Sequence, residues 1–80
     1  MSNFVHWSKS VYDEFIREAA LKPREEKVMY LHVFTDLNYE QMGDRLGYSA
    51  NTVRADIRRC KDKYRRVSAS NQILRDAIYK

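Results

Sequence analysis

From Leu37 to Tyr64 the chain reads as two helices joined by a tight turn, and this pairing constrains the fold more than any other stretch. Asn38 is placed to cap the first helix, with Gln41 at the capping-box spacing three residues on. The helix runs through Met42, Arg45 and Leu46 and ends at Gly47, since glycine takes a left-handed position at little cost. Ser49 is suited to cap a second helix that starts near Ala50. Val53, Ile57, Cys60 and Tyr64 then recur at helical spacing and mark a buried face. Asn51, Arg54, Ala55 and Arg58 fall on the opposite face. Gly43 sits inside the first helix, where glycine costs about 1 kcal/mol against alanine. A small residue there lets the two helices approach at the turn. A short helix, a glycine turn, and a second helix with Asn and Arg at its exposed start describe a helix-turn-helix.

The residue types fit that geometry. Arginine can donate two hydrogen bonds to guanine O6 and N7, and asparagine can pair with adenine N6 and N7. Both reach base edges only near the start of a helix lying in the major groove. The competing reading is an ordinary helical hairpin whose second helix is basic and solvated. The cap, the small residue, the glycine turn and the polar face coincide, which favours the DNA-reading motif.

Charge is unevenly spread. Residues 1–53 carry six Lys/Arg against eight Asp/Glu, whereas residues 54–66 carry seven cations against Asp56 and Asp62. The cations are Arg54, Arg58, Arg59, Lys61, Lys63, Arg65 and Arg66, and they continue directly from the reading face. Concentrated positive charge suits the phosphates of a polyanion. Ser49, Asn51, Thr52, Arg54, Ala55, Arg58, Arg59, Lys61 and Lys63 are therefore the candidate DNA-binding residues. Double-stranded DNA is the expected partner.

Eighty residues suit one domain, here read over 1–80 with the motif at about 38–64. So short a chain has a marginal core, which oligomerisation can support. Glycine and proline are scarce, so helices are expected throughout and no sheet. The fold expected is all-α, a four-helix bundle-like domain containing the helix-turn-helix. A first helix runs from about Ser8 or Ser10 to Ala20, with Ser10 and Asp13 as its capping pair and Val11, Tyr12, Phe15, Ile16 and Ala19 as its apolar stripe. Phe4, Val5 and Trp7 precede it, either folded over the core or forming an exposed contact patch. Pro23 opens a second helix with Glu25 and Glu26 in its first turn and Val28, Met29, Leu31, His32 and Val33 on its apolar side. The recognition helix is expected to fray at Arg65 and Arg66. Ser68 or Ser70 would cap a last helix at about 70–79 carrying Ile73, Leu74, Ala77 and Ile78. That stripe either closes the core of one copy or pairs two copies into a homodimer.

Other functions are disfavoured. Cys60 is the single cysteine, so an intramolecular disulfide is excluded, and it reads as a small core residue. His32 reads as packed, and no histidine or carboxylate set has metal-ligand spacing, so no metal and no cofactor are expected. Asp13, Glu14, Asp56 and Asp62 read as solvated helix-surface acids. Without a Ser/His/Asp set or a phosphate-cradling glycine loop, no enzyme is expected. No apolar run approaches the roughly 20 residues of a membrane span, and no signal peptide is visible, so the expected location is cytoplasmic.

The segment Leu21 to Tyr64 resembles region 4 of bacterial sigma factors. The matching residues are Leu21, Pro23, Arg24, Glu25, Val28 and Leu31, then Leu37, Tyr39, Glu40, Met42, Leu46, Gly47, Ser49, Thr52, Val53, Arg54, Ile57 and Arg59. The chain is also similar to LuxR-type DNA-binding domains, with one insertion before the motif and about one more after Tyr64. Gly43 departs from the alanine usual in the sigma family, and no region 2 is present. The resemblance implies a stand-alone sigma-like transcription regulator of the kind found in phages, mobile elements and small regulons. It also implies that Asn51, Thr52, Arg54, Ala55 and Arg58 face the bases, while Lys61 and Lys63 meet phosphate or nothing. Two alternatives stand beside it: a module that binds RNA polymerase or an anti-sigma protein, and a small DNA-recognition subunit of a phage packaging or recombination complex.

Overall fold

Pro23 fixes where one helix begins and Gly47 where another ends, and between and around them the chain is helical. The structure, a computed structural model, describes residues 7–77. Its helices are α1 (Lys9–Ala19), α2 (Pro23–Phe34), α3 (Tyr39–Leu46), α4 (Ala50–Ser68) and α5 (Gln72–Asp76). The described residues contain no strand, and their five helices form the all-α domain with a helix-turn-helix that the sequence predicts.

The local signals in the motif act as read. Asn38 Oδ1 accepts the Gln41 N–H at 2.8 Å and Gln41 returns the bond to the Asn38 N–H at 2.9 Å. Gly47 closes α3 at φ 82°, and its N–H donates to the Gly43 carbonyl at 2.7 Å. Ser49 Oγ accepts the Thr52 N–H at 3.1 Å. Three other ends differ from the sequence reading. Ser8, not Ser10 with Asp13, caps α1, because its Oγ accepts the Val11 N–H while Asp13 is held by Lys9. The recognition helix does not fray at Arg65 and Arg66 but continues to Ser68, carried by Tyr64 and Val67 packing on the core. Asn71, not Ser68 or Ser70, caps α5; its Oδ1 accepts the Leu74 N–H while its Nδ2 donates to Glu14 on α1 at 2.6 Å.

Helix α4 is the spine between two apolar clusters. On one side Trp7, Tyr12, Phe15, Met29, Val33, Cys60 and Leu74 pack together; on the other, Val28, Leu31, Met42, Val53 and Ile57. Trp7 is buried against Phe15 and Tyr64, with ring centroids 5.3 and 5.6 Å away. It is therefore core, and the exposed contact patch does not hold for it; Phe4 and Val5 lie outside the described residues. The stripe on the last helix divides between its two readings. Leu74 is fully buried in its own chain, Ala77 packs beside it, Ile73 is exposed, and Ile78 lies outside the described residues. The Tyr64 hydroxyl draws this end inward, donating to the Leu74 carbonyl at 2.6 Å and lying against that of Ala77.

Two acids read as solvated are not. Asp56 is fully buried and Glu14 is largely covered by Asn71 and Arg17. For Asp56 the reason is its register on α4, directly between Val53 and Cys60 on the buried side.

Gly43 is the closest point between the two motif helices. A Cβ placed there would run into the Tyr48 carbonyl oxygen, and the Ser49 carbonyl carbon lies 3.3 Å away. Both neighbours are backbone, so no side-chain rotation relieves the overlap. Overpacking of this kind costs about 1–3 kcal/mol, and alanine regains about 1 kcal/mol of helix propensity. Because the overlap is with rigid backbone, the upper end of that cost applies, and Gly43→Ala is expected to destabilise by about 2 kcal/mol, read as a lower urea midpoint with unchanged slope.

Candidate nucleic-acid interface

The start of α4 stands out from the body because its opposite side is the core. Val53, Ile57 and Cys60 face inward, while Asn51, Arg54 and Arg58 are exposed, with Thr52 and Ala55 half-buried beside them. Ser49 lies exposed at the cap and also donates its hydroxyl to Thr52 Oγ1 at 3.1 Å. These residues form one continuous polar strip along roughly two turns, the length that a major groove admits.

The side chains on the strip are held in place. Arg54 Nη1 donates to Asn51 Oδ1 at 2.8 Å. The Arg54 guanidinium carbon also stands over the Tyr39 ring at 5.6 Å from its centroid, within cation–π range. Tyr39, at the first position of α3, is itself packed against the Val28–Met42–Val53 cluster.

Farther along α4 the cations divide. Arg59 donates to Asp56 Oδ1 at 2.9 Å. Arg24, from the first turn of α2, donates twice to the same carboxylate, Nε to Oδ2 and Nη2 to Oδ1, both at 2.9 Å. That hydrogen bond, and then the charge behind it, holds the Arg24 guanidinium above its ordinary pKa. Lys63 is drawn inward to Glu25 Oε1 at 2.9 Å. Burial pushes Glu25 up, but the Lys63 and Lys22 hydrogen bonds outweigh it, and the carboxyl lies below its usual range. Lys61 is half-buried, and Arg65 leans on Asp62 at 3.4 Å. Of the nine residues expected to contact DNA, Ser49, Asn51, Thr52, Arg54, Ala55 and Arg58 thus share the strip. Arg59 and Lys63 are committed to buried carboxylates on the flank.

Sequence reasoning missed Arg24, Tyr39, Asp56 and Glu25. Asp56 was findable, since its spacing from Val53 and Cys60 already placed it on the apolar side. Arg24 and Arg59 line an open cavity of about 360 Å³ with Lys22, Pro23 and Glu25, so the clamp on Asp56 leaves part of each guanidinium facing solvent. Among the described residues no group of three or more His, Cys, Asp or Glu side chains could hold a metal ion, and no helix is long and apolar enough to cross a membrane.

No curated protein and no solved structure matches the chain. The family profile for Sigma-70, region 4 matches residues 19–66, which takes in α2, α3 and α4 up to Arg66. The match spans the turn at Gly47, the exposed strip at the start of α4 and the helix that packs behind them, over more than half the sequence. The chain belongs to the Sigma-70 region 4 family, a helix-turn-helix DNA-binding domain.

Proposed function

We propose that this protein is a sequence-specific regulator of transcription that reads double-stranded DNA through the first turns of α4. The observation that carries this reading is the Asn51–Arg54–Arg58 strip, exposed on a helix whose other face is locked into two apolar clusters. A reading helix must hold its rotation about its own axis, because base contacts are directional. The Asp56 clamp to Arg24 supports that rotation from α2. The protein would work in the cytoplasm, with double-stranded DNA as its ligand. Pairing of two copies through the last helix would rest on Ile73 among the described residues, since Leu74 and Ala77 pack inward.

Arg54→Ala is expected to weaken binding to a selected site by about 1–3 kcal/mol, roughly 5- to 150-fold, and to relax the preference at one base pair. Fluorescence anisotropy on the site and its single-base variants measures both. Binding as tight as the unaltered protein's would remove Arg54 from the reading role.

A second reading, a module docking on RNA polymerase or an anti-sigma-like protein, is favoured by one feature. Tyr30 and Phe34 are exposed on α2 and cluster with Tyr12, with ring centroids 5.0 to 5.9 Å apart. Capture of polymerase with no shift of any duplex at low salt would favour that reading over DNA recognition.

A further inference from the structure

We infer that Tyr39, Arg54 and Asn51 form one reading unit that selects base edges presenting hydrogen-bond acceptors, guanine above all, and that Tyr39 is its positioning residue. The inference rests on the DNA-reading function proposed above and deepens it. Its first support is the hydrogen bond from Arg54 Nη1 to Asn51 Oδ1 at 2.8 Å. A guanidinium has five N–H groups and no acceptor, so the amide oxygen of Asn51 is the atom that must face it. A free asparagine can grip adenine with its oxygen on N6 and its nitrogen on N7, but that needs both atoms on one base edge. With the oxygen turned to Arg54, the amide presents its NH₂ away from the guanidinium. The unit therefore offers mainly donors: the remaining guanidinium N–H groups and the Asn51 NH₂.

Acceptors in the major groove are N7 and O6 of guanine, O4 of thymine and N7 of adenine, but adenine sets its N6 amino donor beside N7 and cytosine offers an amino donor, so a donor-only unit meets an unmatched donor on either. The pair is thus matched to two neighbouring positions drawn from guanine and thymine on whichever strand each side chain reaches. Guanine is expected under Arg54, which can meet N7 and O6 together.

The second support is Tyr39. Its ring packs against the Val28–Met42–Val53 cluster and carries the Arg54 guanidinium, 5.6 Å from ring centroid to carbon. Arg54 is exposed, and a free arginine would lose rotamer entropy on binding. Held at two points before DNA arrives, it loses less, which is how preorganisation raises affinity and discrimination. Tyr39 need not touch DNA to set the preference at the Arg54 position.

The test is selection from a random duplex pool with the full chain, run in parallel with Tyr39→Leu, Tyr39→Phe, Asn51→Ala and Arg54→Ala. Arg54→Ala and Asn51→Ala identify the position each side chain reads by the preference that each relaxes. Tyr39→Leu keeps apolar bulk against the core and removes the ring face, and circular dichroism establishes that it folds. The expected result is guanine at the Arg54 position and guanine or thymine at the Asn51 position. Tyr39→Leu should lower guanine discrimination about fivefold at the Arg54 position alone, while Tyr39→Phe leaves it unchanged. Adenine at the Asn51 position, or a folded Tyr39→Leu with the same motif, would overturn the inference and leave DNA reading intact. No enriched sequence with the unaltered protein would remove DNA reading itself, and this inference with it.

Discussion

Between pH 6.5 and pH 4 the domain is expected to lose about 3 kcal/mol of stability through His32 alone. His32 is buried in α2, and burial, followed by the positive charge of Lys61, depresses its pKa from 6.5 to about 4. In the unfolded chain the imidazole takes up a proton near its ordinary pKa, while in the folded chain it stays neutral. The unfolded state therefore binds more protons throughout this window, and stability falls as pH falls. Above pH 6.5 both states are neutral at His32 and the residue imposes no acid penalty. Below about pH 4 both are protonated and the loss is complete. For a small domain the loss is a large fraction of total stability. Urea titrations at several pH values measure it, with His32→Leu as the comparison. The variant should hold its stability nearly flat from pH 6.5 to 5, where the unaltered protein already declines. Glu14 and Glu25 have lowered pKa values, so their stabilisation fades only below the ordinary carboxylate range and is separable from the His32 window. Parallel decline in both proteins between pH 6.5 and 5 would remove His32 as the cause.

Asp56→Ala is expected to cost about 2 kcal/mol, or about 10 °C in Tm. The carboxylate is fully buried and receives three charge-assisted hydrogen bonds, two from Arg24 and one from Arg59. Removing it leaves two surface guanidiniums that rehydrate, so the loss is the net worth of the hydrogen bonds and not that of a stranded charge. Arg24→Met is a different injury, because it leaves the buried carboxylate with Arg59 as its remaining ion-pair partner. The double variant should then lose less than the two single losses together, and a double-mutant cycle by thermal unfolding measures the difference. Strict additivity would mean that the two residues contribute independently. Because Asp56 ties α4 to α2, its loss should also weaken specific DNA binding more than it weakens salt-driven binding.

Much of this architecture was legible in the sequence because its punctuation is local. Asn38 with Gln41, Gly47 and Ser49 act within three or four residues, and local hydrogen bonds do not depend on the rest of the fold. The polar strip was legible for the same reason: Asn51, Arg54 and Arg58 follow from helical spacing alone. What failed was long-range. Seven cations between residues 54 and 66 read as one basic surface, but Glu25 lies 38 residues from Lys63, and no local pattern announces that partnership. Ser10 and Ser70 lost their capping roles to Ser8 and Asn71, whose neighbours place them at the true helix ends. The stripe at Ile73, Leu74 and Ala77 was split by the Tyr64 hydroxyl, a contact ten residues back along the chain.

Cys60 shows what the dense side of α4 means for the chemistry of the chain. The thiol is fully enclosed, and burial, reinforced by Glu25 and Asp56, pushes its pKa up to about 12. Reaction with an oxidant or an alkylating reagent needs both access and the thiolate, and the folded molecule withholds both. Modification must pass through opened molecules, so its rate is set by how often α4 lifts away from α2. The single sulfur atom thus works as an internal clock of native-state opening, silent for as long as the two helices stay together.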